Sequence, residues 1–302
     1  TSWSTAAPSE TVMVSALKNS RQTTNLPAAQ PWTPLDRPST PPLGLLLFDI
    51  DGVIRDVAGS YRRALQSTVE HYSGWRPDPA CIDALKGEGS WNNDWDASLE
   101  LLRRHQAKDP GVSFSLPERE ALVDVFSGFY FGSDPEGDPS AWDGYICDEP
   151  LLVSPTFFSD LSARGLRWGF VSGAEPPSAR FLLANRLGLH EAPLIAMGDA
   201  PDKPDPSGLL RMASSLLGQP FSAASPTVAY LGDTVADVQT VIQARSQCPD
   251  QRFVSLAVAP PHLQSPDQKS ARNDYEQRLR EAGADVILPE TRAALDWAST
   301  LG

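Results

Sequence analysis

The sequence predicts an α/β fold, a doubly wound parallel sheet with a block of helices inserted after its first strand. Three observations carry this. Several short apolar runs end in acidic residues or glycine, as strands buried on both faces of a parallel sheet do. Stretches with helical start and stop signals alternate with them. More than a hundred residues, helical in pattern, separate the first run from the second, far more than a crossover needs.

Residues 1–42 are rich in Pro, Ser, Thr and Ala without sustained periodicity and read as an extended or disordered arm. Order begins at GLLLFDIDGV, where Leu45 to Ile50 form the first strand. Residues 57–150 read as a helical cap, with helices expected over Ser60 to Tyr72, Pro79 to Lys86, Asp94 to His105 and Ser115 to Tyr130. SLPE at Ser115 to Glu118 fits a capping box with proline just inside the last of these. Ser154-Pro155 opens the next helix, which ends near Gly165. Strands then follow at LRWGFVSG (Leu166 to Gly173), PLIAMGD (Pro193 to Asp199), VAYLGD (Val228 to Asp233), FVSLAVAP (Phe253 to Pro260) and ADVILP from Ala284. Helices are expected over Ser178 to Leu187, closed by Gly188, and over Asp233 to Ala244. The core thus comprises 43–56 and 151–302, and the cap lies over the carboxyl ends of the strands, where open α/β sheets bind ligands. The polar stretch from Pro261 to Arg280 reads as a loop and a surface helix with nothing catalytic.

Composition excludes several classes. Of 302 residues 41% are hydrophobic, enough for a substantial core, and the formal net charge is −13. So acidic a chain has no broad face for nucleic acid, although a local positive pocket can hold a small anion. Cys81, Cys147 and Cys248 are widely separated, and no two of the four histidines stand at metal-ligand spacing, which argues against a disulfide framework or a zinc site. The apolar run ending at Phe48 is far too short to span a membrane, and residues 1–20 lack a signal-peptide pattern. A cytoplasmic protein, monomer or homodimer, without a membrane partner, is the expectation.

The chemistry-bearing residues fall at strand ends. The first strand ends in Asp49 and Asp51, the second in Ser172-Gly173, and the fourth in Gly232-Asp233 with Asp237 four residues on. Lys203 follows the third strand inside DKPDP. Aspartates at i and i+2 on a strand share a side and repel each other unless a cation joins them. A hard divalent cation with oxygen ligands, magnesium, resolves that repulsion. The metal and Lys203 would let an aspartate nucleophile approach a phosphoryl group. A second carboxyl, Asp51, would protonate the leaving alkoxide and then activate water. Gly52 permits close backbone approach, and Ser172 with nearby amides can donate to phosphate oxygens. Each element alone has an ordinary reading as a solvated turn, a surface lysine or a helix cap. All four in order at strand ends do not.

These residues resemble the haloacid dehalogenase superfamily, in the subfamily whose helical cap is inserted after the first motif. The motifs are LLLFDIDGVI, GFVSG, DKPDP with Lys203, and YLGDTVAD, and the likeness covers roughly residues 44–260. The resemblance implies a Rossmann-like core, Asp49 as the nucleophile forming an aspartyl-phosphate, and Asp51 as general acid and base. It implies magnesium held by the Asp49 side chain, the Asp51 backbone carbonyl and Asp233, with Asp237 assisting directly or through water. Ser172 and Lys203 would bind the transferring phosphoryl group. Aspartate at position 51 favours phosphate monoester chemistry over dehalogenation. The first-motif and cap stretch is similar to a small subgroup found in cyanobacteria and a few other lineages. Where that subgroup often carries a basic segment after the second motif, this chain has SGAEPPS.

The cap should select the substrate, a small phosphorylated metabolite such as a sugar or polyol phosphate. Arg55, Arg62, Arg63 and Lys86 are basic residues near the hinges of the cap or within it, with Tyr61 beside them, and GEGSWNNDW (Gly87 to Trp95) is a polar loop between helices. Asn92 and Asn93 could bind hydroxyls, with Gly52 and Gly173 lining the phosphate side. The ordinary alternative makes Asn93-Asp94 a helix cap and Arg62 part of a solvated helix face. A phosphomutase on the same scaffold and a non-catalytic binding or regulatory protein are the rival functions.

Overall fold

The structure, a computed structural model, describes residues 41–301 apart from 89, 90, 92, 109, 110 and 112. Residues 1–40 of the expected arm, and Asn92, lie outside the described residues. The first strand, β1 (Gly44–Phe48), is buried throughout. Its alternating side chains feed two cores. Leu46 and Phe48 pack on one face of the sheet, and Leu45 and Leu47 on the other. That two-sided burial is why the run is uninterruptedly apolar.

Four helices follow: α1 (Ala58–Ser73), α2 (Pro79–Gly87), α3 (Asp94–Lys108) and α4 (Arg119–Phe131). Leu65, Val69, Leu101, Leu102, Leu122 and Phe126 give them a hydrophobic core of their own. The capping box expected at Ser115 is absent. α4 starts at Arg119, with Glu118 at the N-cap and no side-chain cap bond. Pro117 holds Leu116 away from helical conformation, so the helix nucleates beyond it.

The chain leaves and re-enters the sheet side by side. The Asp56 amide donates to the Pro150 carbonyl and the Leu152 amide to that of Ile54, both at 2.9 Å. After α5 (Pro155–Ala163) come β2 (Leu166–Val171), α6 (Pro176–Arg180) running into a π-helical turn over Phe181–Arg186, and β3 (Leu194–Ile195). β3 is far shorter than the apolar run around it, because the Met197 amide turns away to the Ala174 carbonyl. A helix the sequence reading did not single out, α7 (Ser207–Leu217), leads to β4 (Thr227–Gly232). Then follow α8 (Val235–Gln247), β5 (Phe253–Val258), α9 (Lys269–Glu281), β6 (Val286–Leu288) and α10 (Ala294–Ala298).

All six strands are parallel, in the order β3-β2-β1-β4-β5-β6. Helices α5, α6 and α10 cover one face, and α7 and α8 the other. This is the doubly wound, Rossmann-like sheet expected. The order reverses between β1 and β4, which brings their carboxyl ends together at a crevice. Among the described residues no helix is long and apolar enough to cross a membrane.

Candidate active site

Strand β1 delivers Asp49 and β4 delivers Asp233 at neighbouring carboxyl ends, since Phe48 and Leu231 are in register. Asp237 rises from the first turn of α8. Carboxylate oxygens of Asp49, Asp233 and Asp237 lie within 4.8 Å of one another, and all three residues are buried. Lys203 reaches in from the loop after β3. Its Nζ stands 2.7 Å from Asp49 Oδ2 and 2.5 Å from Asp237 Oδ1.

Asp237 is the best-anchored of the three. Tyr230 donates its hydroxyl to Asp237 Oδ1 at 3.1 Å, and Thr234 donates its amide and hydroxyl to Oδ2 at 2.9 and 2.6 Å. Thr234 and Asp237 form the capping box of α8, so one carboxylate caps a helix and fixes the lysine. Asp49 Oδ1 accepts from the Ile50 amide at 2.8 Å.

The electrostatics are those of an incompletely neutralised cluster. Burial pushes the Asp49 carboxyl above its ordinary range, and Asp237 adds to the shift while Lys203 opposes it. Asp233 is pushed well up by burial and by its acidic neighbours. Burial opposes ionisation of Asp237, yet Lys203 and Thr234 hold it below the usual range. Burial likewise disfavours the charge on Lys203, but Asp237 and Asp49 outweigh it and keep the lysine protonated. Three carboxylates against one ammonium leave a surplus of two negative charges. An all-oxygen donor set with that surplus fits a divalent cation.

Gly52 makes the approach possible. Its φ is 77°, and a Cβ there would fall 2.1 Å from Asp233 Oδ2. Gly232 is as tight, since its Cβ would fall 2.2 Å from that of Asp237. Ser172 is buried at the end of β2, its amide bonded to the Ile195 carbonyl at 2.9 Å. Ser172, Gly173 and Lys203 line a small crevice with Met197 and Asp202.

Asp51 takes a different partner. Its Oδ1 accepts from Arg55 Nε at 2.8 Å, and Arg55 is wholly buried. Arg55 also lies 2.9 Å from Glu149 Oε2 and donates to Ser178 Oγ at 2.7 Å. Glu149 Oε1 accepts from Ser60 at 2.6 Å and from Tyr130 at 2.9 Å.

The structure therefore brings Asp49, Asp51, Gly52, Ser172, Gly173, Lys203, Asp233 and Asp237 to one place. The residues proposed from the cap have other engagements. Arg62 pairs with Asp83 at 2.7 Å and Lys86 with Asp94 at 2.6 Å. Asn93 caps the start of α3, where its Oδ1 accepts from the amides of Trp95 and Asp96. Sequence reasoning missed Tyr230, the partners of Arg55, and Tyr275 of the polar tail, whose hydroxyl donates to the Asp233 carbonyl at 2.8 Å. An arginine four residues after Asp51, at the hinge, was the available signal for the second.

A model of the family described as haloacid dehalogenase-like hydrolase matches residues 43–245. The chain is 30% identical over 200 residues to an imidazoleglycerol-phosphate dehydratase of Phytophthora nicotianae, a stretch equal to 65% of this chain and 40% of that protein. It therefore spans well under half of that relative's length. A phosphonoacetaldehyde hydrolase-like protein from Oleispira antarctica superposes with a TM-score of 0.58 at 17% identity, over 86% of this chain and 92% of the other. A phosphatase from Thermococcus thioreducens gives 0.51 at 22% identity, over 78% and 99%. At these identities the solved structures establish a shared fold.

Proposed function

The chain belongs to the haloacid dehalogenase-like hydrolases, and on that premise we propose that it is a magnesium-dependent phosphatase of a small phosphorylated metabolite. The observation that carries the reading is the cluster of Asp49, Asp233 and Asp237 around Lys203, with Asp51 two residues beyond the nucleophile position. Asp49 and Asp233 would hold the ion, and Asp237, whose oxygens already take Lys203, Tyr230 and Thr234, would act from behind them. The ion, when bound, supplies charge neutralisation for a phosphate dianion.

The chain's own groups do the rest. Lys203, the Ser172 hydroxyl and the Gly173 amide hold the phosphoryl oxygens. An Asp49 oxygen forms a bond to phosphorus as the bridging P–O bond breaks. The electron pair leaves on the alcohol oxygen, which takes the proton of Asp51. Asp51, now a carboxylate, takes a proton from water as that water attacks the aspartyl-phosphate. Phosphate leaves, and both side chains return to their starting states.

For substrate, the relative from Phytophthora nicotianae is the available lead. Its name refers to a phosphorylated imidazole compound, and this chain corresponds to only part of it. Imidazole-bearing alkyl phosphates, imidazoleglycerol phosphate first, therefore head the panel of phosphate esters to be tried, with sugar and polyol phosphates beside them.

The direct test is hydrolysis of para-nitrophenyl phosphate with and without magnesium. We expect a metal-dependent rate that Asp49→Asn lowers by roughly a thousandfold or more, as loss of a nucleophile does. Equal rates for parent and variant would sink the assignment of Asp49.

A further inference from the structure

We propose that Arg55 is the positioning residue of the general acid, holding one oxygen of Asp51 so that the other is the one presented to the leaving group. The inference rests on the phosphatase reading above and names a device within that site. Arg55 is 0% exposed, an unusual place for an arginine, and its guanidinium is hydrogen-bonded through Nε and Nη2, while Nη1 is within ion-pair distance of Glu149 without an aligned hydrogen bond. Nε donates to Asp51 Oδ1, Nη1 lies beside Glu149 Oε2, and Nη2 donates to Ser178 Oγ.

A guanidinium donates and never accepts. Arg55 therefore engages Oδ1, at 2.8 Å from Nε, and leaves Oδ2 to other partners. That atom has no hydrogen-bond partner among the described residues, and the Asp51 side chain keeps 28% of its surface exposed. The free oxygen is the one available to a leaving group. Without Arg55 the carboxyl could rotate, and only a fraction of its orientations would serve the ester.

The surroundings fix Arg55 in turn. Glu149 stands where the chain returns from the helical block, and it receives Ser60 of α1 and Tyr130 of α4. Tyr130 also lies 3.1 Å from Ser178 Oγ, and Tyr61 stacks on its ring with centroids 4.6 Å apart. The arginine is thus held by groups from both sides of the hinge. Glu175, the residue before α6, has its carboxyl pushed up by burial, an effect that Arg55 opposes and Asp51 adds to.

The test uses the leaving group. Para-nitrophenolate departs with little need of a proton, whereas an alkoxide needs one. The variants are Arg55→Met, the conservative Arg55→Lys, and the double substitution Arg55→Met with Glu149→Gln, which leaves no unpaired buried carboxylate at position 149 where the single variant fails to fold. We expect each arginine-to-methionine protein to lose roughly tenfold or more additional kcat on an alkyl phosphate than on para-nitrophenyl phosphate. Arg55→Lys, which keeps a donor, should recover part of that difference. Equal losses on both esters, or losses confined to KM, would overturn the proposal and leave Arg55 a structural residue. If the unaltered protein hydrolyses neither ester, the phosphatase reading itself falls and this inference with it.

Discussion

Position 52 shows how little latitude the site has. Gly52 adopts a φ of 77°, which side chains rarely do, and its α-carbon faces the Asp233 carboxylate so closely that a methyl would overlap it. Gly52→Ala therefore acts on the metal without touching a ligand. It should push Asp233 aside and raise the magnesium concentration for half-maximal activity by about 10–100-fold, the range seen when groups that orient a ligand are lost. A magnesium titration of para-nitrophenyl phosphate hydrolysis reads this directly, and an unchanged midpoint would remove Asp233 from the ion's shell. Asp49, Asp51, Ser172, Lys203, Asp233 and Asp237 were legible in the sequence because each ends, or follows closely on, an apolar strand, a local pattern. The bond of Arg55 to Ser178 spans 123 residues and that of Ser60 to Glu149 spans 89. Such contacts are made by the fold and leave no periodicity to read.

Among the elements, the strands buried on both faces were the easiest to foresee, since β1, β2, β4 and β5 are apolar at nearly every position, with Arg167, Thr227 and Ser255 the exceptions. The edges were harder. β3 keeps two ladder residues of the apolar run from Pro193 to Met197, and α7 follows a proline-rich loop that hides its start. Helix starts in the cap were ambiguous for another reason. A polar residue before a helix can cap it or meet a ligand, and one sequence does not distinguish the two. At α3 the choice is decided by Asn93, whose side-chain oxygen is used by two backbone amides. Asn93→Ala should cost about 1 kcal/mol of stability, the usual loss for a cap. Thermal denaturation measures it, and KM for the best ester found should stay within about twofold, since the helix axis itself is fixed by core packing. A large rise in KM without loss of stability would return Asn93 to the substrate.

For the whole molecule the acidic cluster sets stability against function. Asp49, Asp233 and Asp237 are drawn together by the convergence of β1, β4 and α8, and among the described residues Lys203 is the cation paired with them, through Asp49 and Asp237. Packing therefore holds in place carboxylates that repel, and the metal-free protein carries that repulsion as lost stability. A cation that binds the folded chain and not the unfolded one stabilises it by mass action, by about 2.7 kcal/mol at a hundred times its dissociation constant. For a chain of this size that corresponds to a rise in Tm of roughly 5 °C. Asp233→Asn should do the opposite of most buried substitutions. It keeps the shape of the side chain and removes one repelling charge, and the Tyr275 contact, which is to the backbone carbonyl, survives. The metal-free variant should therefore melt above the metal-free parent, respond to magnesium far less, and be inactive, a trade of activity for stability. Melting curves of both proteins with a chelator and with excess magnesium distinguish the outcomes. If the variant melts lower without metal, the cluster is not repulsive. If it gains as much as the parent from magnesium, the ion binds elsewhere in the chain.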